Sequence, residues 1–144
     1  MKKKYTAEEK TACRISSLTI RGGGRGRADS CPLEHDEQVA FKQWMDVQHP
    51  GIMWLAIPNG NKRAWSAGKS IKAEGGSKGF PDMFFPSLML AIELKRRKGG
   101  SVSPDQRKWL AELAGCGYTA VVCRGAEEAI RVVTEVVRVR KNEL

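Results

Sequence analysis

The amino-acid sequence predicts an α/β fold with a mixed central sheet flanked by helices, and three features of the pattern predict it. Two apolar runs, Met83-Phe84-Phe85 and residues 88–92, are separated only by Pro86-Ser87 and read as an antiparallel hairpin. A helix-start signature at Ser103-Pro104-Asp105-Gln106 then leads into another apolar run over residues 118–123. A helix between two strands of one sheet makes a right-handed crossover, so these two strands should lie parallel. Residues 33–48, finally, place Glu34, Glu37, Phe41, Trp44 and Gln48 near one face at spacings of three and four. The order is helix, strand, strand, strand, helix, strand, helix.

At 144 residues the chain is long enough for one domain with a sizeable core and short for two. The expected division is a basic arm over residues 1–30 and a globular domain over residues 31–144. The formal charge of +9 points to a polyanionic partner. No apolar run approaches the roughly 20 residues that span a bilayer. The opening Met1-Lys2-Lys3-Lys4 has no apolar stretch behind it and is no secretory signal. These features imply a cytoplasmic protein without a membrane partner. Cys13, Cys31, Cys116 and Cys123 show neither CxxC spacing nor paired histidines, so reduced thiols are expected rather than zinc ligands.

The arm contains Arg21-Gly22-Gly23-Gly24-Arg25-Gly26-Arg27 and few large apolar residues, too little buried surface to offset the entropy of ordering it. Its arginines suit loose phosphate contact, and a plain disordered leader fits equally. Residues 12–20 carry enough apolar side chains for a short strand or helix. The first helix, residues 33–48, ends at His49-Pro50-Gly51. Residues 52–57 read as a strand, followed by a turn at Pro58-Asn59-Gly60-Asn61. Residues 62–78 hold Lys62, Arg63, Lys69, Lys72 and Lys78 with Trp65, and a short helix is expected near 67–73. That stretch reads equally as a DNA-backbone contact or as a solvated loop with Trp65 tucked into the core.

In the hairpin, a turn centred on Ser87 and Leu88 sets Asp82 across from Glu93, with Cβ atoms roughly 5 Å apart. Side chains alternate along a strand, so Glu93 and Lys95 share a face and Leu94 points to the opposite layer. Two carboxylates so placed raise each other's pKa unless a cation lies between them. Hard divalent ions take carboxylate oxygens and leave positions for a phosphate and an attacking water. Lys95 can hold that water and offset charge on the transition state. The run Lys95-Arg96-Arg97-Lys98 leaves the site directly and favours phosphate contact over simple solvation. After it, Ser103 as N-cap, Pro104 at N1 and Gln106 at N3 complete a capping box. That helix turns Trp109, Leu110 and Leu113 inward and stops at Gly115-Cys116-Gly117. The apolar run at 118–123 reads as a buried strand. A last helix over residues 126–140 is acidic at its start, basic at its end, and carries Ile130, Val133 and Val137 at helical spacing.

Pro81-Asp82 with Glu93-Leu94-Lys95 resembles the PD-(D/E)XK nuclease motif. With Ser77-Lys78-Gly79-Phe80 before it and Ser103-Pro104-Asp105-Gln106 after it, the chain is similar to the VRR-NUC branch of that superfamily over roughly residues 33–135. The resemblance extends to Glu34-His35-Asp36-Glu37-Gln38, Ile57-Pro58-Asn59-Gly60 and Gly117-Tyr118. It implies a restriction-endonuclease-like αβββαβ core and Mg²⁺, with Mn²⁺ able to substitute, held by Asp82, Glu93 and the Leu94 carbonyl. In such nucleases a glutamate of the first helix reaches the metal. Glu37 is the matching position and Glu34, one turn earlier, is the second candidate. Taken without the resemblance, Glu37 reads as a first-turn glutamate favoured by the helix dipole. A glutamine on the later helix lies near the catalytic lysine in the family, which places Gln106 in support of the site.

The function implied is a metal-dependent DNA endonuclease with Asp82, Glu93, Lys95 and Gln106 at its catalytic centre. Asn59, Lys62, Arg63, Lys78, Arg96, Arg97 and Lys98 are the expected DNA contacts. Stand-alone members resemble Holliday-junction resolvases, which implies a phage or bacterial homodimer acting on branched DNA without a small-molecule cofactor. The first or last helix could supply its interface, or could simply be core. Flaps, nicked or linear duplexes are the alternative substrates, and a non-catalytic nucleic-acid-binding module is the alternative class.

Overall fold

A computed structural model describes residues 31–57, 75 and 77–142. The expected arm, the turn at 58–61, Trp65 and the helix near 67–73 lie outside them, and with them Asn59, Lys62 and Arg63. The described elements are α1 (Glu34–Gln48), β1 (Leu55–Ala56), β2 (Met83–Phe85), a 3-10 turn (Pro86–Leu88), β3 (Leu90–Lys95), α2 (Pro104–Gly115), β4 (Thr119–Arg124) and α3 (Ala126–Asn142). The four strands form one mixed sheet in the order β1-β2-β3-β4. β1 and β2, and β2 and β3, are antiparallel, while β3 and β4 are parallel. The α/β reading and its element order hold.

Alternation along β2 and β3 divides the molecule into two layers. Met83, Phe85, Leu90, Ile92 and Leu94 face one way and pack with Phe41, Trp44 and Met45 of α1 and Ala129, Val133 and Val137 of α3. Each such side chain, fully buried, contributes roughly 1.5–3 kcal/mol. That tertiary gain outweighs the modest helix propensity of the valines in α3. Cys123 belongs to this core, and burial, with the Glu128 charge, pushes its thiol up to about 12. On the other face Phe80, Phe84, Trp109 and Tyr118 form an aromatic chain with ring centroids 5.1–5.5 Å apart. This layer is thinner. Leu113 of α2 is buried, whereas Trp109 and Leu110, expected fully inward, are half-buried.

Two local expectations change. β1 pairs over two residues instead of six, Leu55 with Phe84 and Ala56 with Met83, against a partner β2 of only three. The hairpin closes through the 3-10 turn, with Met89 in the left-handed region at φ 47, and the connection is centred on Ser87 and Leu88 as expected. The register is the expected one, Met83 opposite Ile92 and Phe85 opposite Leu90. β4 is only partly buried because it lies at the edge of the described sheet. Among the described residues no helix is long and apolar enough to cross a membrane.

Candidate active site

Asp82 and Glu93 meet because the register carries them there. With Met83 opposite Ile92, Asp82 stands one step beyond the paired residues, across from Glu93 and on its face. Its Oδ2 accepts the Leu94 N–H at 2.9 Å, which ties the carboxylate to β3. Leu94 itself turns its side chain into the core. Lys95, two residues after Glu93, returns to the same face, and its Nζ lies 2.6 Å from Glu93 Oε1. Asp82, Glu93 and Lys95 are 8%, 0% and 7% exposed. Withdrawing a charge from water costs several kcal/mol per ion even after relaxation. A fold that only needed a sheet centre would place apolar residues here, so this concentration of charge marks a candidate functional site.

Gln106 reaches the same carboxylate from α2. The capping box fixes how: Gln106 Oε1 accepts the Ser103 N–H at 2.8 Å, while the Gln106 N–H donates to Ser103 Oγ at 3.2 Å. With its oxygen committed to the cap, the amide can present only Nε2 to the sheet, and Nε2 donates to Glu93 Oε1. The capping and supporting roles read from the sequence are thus one geometry. Gly79 brings the preceding loop against the same helix start. Its φ is +86, and a Cβ there would fall 2.6–2.7 Å from atoms of Asp105 and Gln106.

The charges interact strongly. Burial and the Asp82 charge raise Glu93 from 4.5 to about 7, against the opposing pull of Lys95. Burial lowers Lys95, but its hydrogen bond to Glu93 and the charges of Glu93, Glu34 and Asp82 outweigh this and raise it. Glu34 is raised by burial, with Lys95 pulling it down and Asp82 pushing it up. The charges of Lys95 and Asp82 thus both act on Glu34, one turn before Glu37 in α1. Glu37 is held elsewhere: Oε1 accepts from Arg97 Nε at 2.6 Å, and Oε2 accepts the Ala126 N–H at 2.8 Å. Of the two first-helix candidates, Glu37 is tied to Arg97 and Ala126, while Glu34 is the one on which the charges of Lys95 and Asp82 act.

The expected DNA contacts also separate. Arg96, Lys98 and Lys78 are exposed, with the Lys78 carbonyl accepting the Trp109 Nε1–H at 3.0 Å. Arg97 is turned back onto Glu37. Arg124, which carried no sequence signal, donates to the Gly99 carbonyl at 2.8 Å and holds the loop beyond Lys95. Among the described residues no three His, Cys, Asp or Glu side chains close into a ready metal cluster. Glu93 Oε2 is nonetheless buried without a hydrogen-bond partner among them. An acceptor oxygen so placed, beside a second carboxylate, suits a hard divalent cation.

A family model described as the VRR-NUC domain matches residues 33–127. A solved structure described as a VRR_NUC domain protein is similar to this chain with a TM-score of 0.64 and 22% identity, covering 76% of this chain and 91% of that one. That likeness supports the fold. No curated protein matches the chain. The match over residues 33–127 spans the Asp82, Glu93, Lys95 and Gln106 positions together with the helix that carries Glu34, and the chain belongs to the VRR-NUC family of PD-(D/E)XK-type nucleases.

Proposed function

We propose that this chain is a divalent-metal-dependent, structure-selective DNA endonuclease that cuts four-way junctions as a homodimer. The observation that supports it most is the pairing of Asp82 with Glu93 on a buried face, Lys95 beside them and Glu93 Oε2 without a partner. Asp82, Glu93, the Leu94 carbonyl and Glu34 would hold Mg²⁺, or Mn²⁺ in its place. A bound ion of this kind supplies polarisation of the scissile phosphate and a more acidic water.

The chain's own groups set the geometry. The Leu94 N–H fixes Asp82, and Gln106 fixes Glu93 through Oε1. Lys95 Nζ offers protons to orient a water for in-line attack and to offset charge on the phosphoryl oxygens. A new P–O bond forms from that water as one ester P–O bond breaks. The attacking water gives up one proton to solvent, and the departing oxygen takes one from solvent as it leaves. Arg96, Lys98 and Lys78, exposed around the site, would hold the flanking backbone.

Homodimer formation rests on the resemblance to resolvases. Here α1 and α3 use their apolar stripes on the core. Exposed Met53 and Leu55, just before and in β1 at the edge of the described sheet, and exposed Val47 near the end of α1 would be covered by a second copy.

The test is cleavage of labelled four-way junction, flap, nicked duplex and linear duplex DNA with Mg²⁺, Mn²⁺ or chelator, using wild type and Asp82→Asn. Sedimentation of the protein alone gives its assembly state. Paired, symmetric, metal-dependent cuts on the junction that vanish in Asp82→Asn are expected, from a dimer. Cleavage of flaps or linear duplex alone keeps the chemistry and rejects the junction. Tight binding without cleavage under any metal rejects the nuclease.

A further inference from the structure

Glu37 is 3% exposed and sits where three parts of the chain meet. Arg97 reaches it through Nε at 2.6 Å and Nη2 at 3.5 Å, and the Ala126 N–H at the start of α3 reaches it at 2.8 Å. Gly125 makes room for this junction. Its φ is +85, and a Cβ there would lie 2.8 Å from Arg97 Cγ and 3.3 Å from Glu37 Oε1. The same glycine donates its N–H to the Lys95 carbonyl at 2.9 Å. One corner therefore fixes both the end of β3 that delivers Lys95 and the turn of α1 that carries Glu37.

Glu34 lies three residues before Glu37, on the same helix face. An α-helix advances about 100° per residue, so a slip of one residue would swing Glu34 away from β3. We propose that Glu37 and Arg97 are positioning residues, whose ion pair sets the rotation of α1 so that Glu34 presents its carboxylate to Asp82, Glu93 and Lys95. This rests on the nuclease reading above, in which Glu34 contributes to the metal site. A capping glutamate with only a structural role would stabilise the fold and leave ion binding untouched. The two roles separate by measurement.

Mn²⁺ is titrated calorimetrically into the full chain without DNA, with the thermal midpoint recorded alongside. The variants are Glu37→Gln, Arg97→Lys, Glu34→Gln and the double Glu34→Gln/Arg97→Lys. Arg97→Lys keeps the charge at a partly exposed position and guards against a Glu37→Gln chain that fails to fold. Glu37→Gln and Arg97→Lys are expected to weaken Mn²⁺ binding about 10- to 100-fold, as loss of outer partners does at metal sites. The double variant should bind no more weakly than Glu34→Gln alone, because the clamp then has no carboxylate to place. A lower midpoint with unchanged Mn²⁺ affinity in Arg97→Lys overturns the proposal, and so does an additive double variant. Wild-type affinity in Glu34→Gln removes Glu34 from the metal site and the clamp's role with it, and no Mn²⁺ binding by the wild type overturns the nuclease reading itself.

Discussion

At Glu93 two demands oppose each other. Burial and Asp82 push its carboxyl up to about 7 in the folded chain, while in an unfolded chain it titrates near 4.5. Between those values the folded state binds the extra proton, so stability falls as pH rises through this window and levels off above it. Lys95, raised in the fold, stays charged throughout and adds no slope there. A divalent cation competes for the same oxygens, so the gain in thermal midpoint from added Mn²⁺ should grow over the same window. Melts between pH 5 and 8, with and without Mn²⁺, check both signs, and Glu93→Gln should flatten both. A metal-free midpoint that climbs from pH 5 to 7 in the wild type and stays put in Glu93→Gln would contradict this account. The Asp82–Glu93 pairing was legible because the period of two along strands fixes it once a turn is placed. The choice between Glu34 and Glu37 was not, because both lie on one helix face. What holds Glu37 is the N–H of Ala126, 89 residues further along the chain, which leaves no local mark on α1.

Among the elements, α2 shows how local chemistry serves a distant site. Ser103, Pro104 and Gln106 start the helix, and the same cap aims Gln106 at Glu93. The loop before β2 is fitted against that start at Gly79. A Gly79→Ala chain meets both a left-handed backbone and a clash with Asp105 and Gln106, so it should lose about 1–3 kcal/mol of stability. Urea denaturation measures the loss, and wild-type stability would mean the loop and helix do not press together. The three described helices were readable to within a residue or two because caps and apolar stripes are local signals. Strand extents were less so. β1 pairs over two residues against a partner of three, and β4 is half-exposed by its place at the sheet edge. Both follow from neighbours in the fold and leave no mark on the segments themselves.

Over the whole molecule, the formal charge of +9 is shared between roles that composition cannot distinguish. Arg97, itself partly exposed, pairs with Glu37 and holds α1 to the corner before α3, and exposed Arg96 and Lys98 lie on either side of it. Each phosphate contact adds about 0.9 to the fall of log binding constant with log salt on duplex DNA. The double variant Arg96→Ala/Lys98→Ala should therefore reduce that slope by about 1–2, as measured by fluorescence anisotropy between 50 and 200 mM salt. An unchanged slope would remove these two residues from the DNA surface. The layered α/β plan was legible because hairpin, crossover and helix order leave few alternatives. The most direct test of the catalytic account is single-turnover cleavage of a labelled junction by wild type and Glu93→Gln, in Mg²⁺ and in chelator, with DNA binding measured in parallel. The account predicts cleavage by wild type in Mg²⁺ only, and a rate lower by at least about 10²–10³-fold in Glu93→Gln at similar binding, the scale seen when one group stabilising a transition state is lost. Cleavage by the wild type in chelator, or by Glu93→Gln at the wild-type rate, would contradict it.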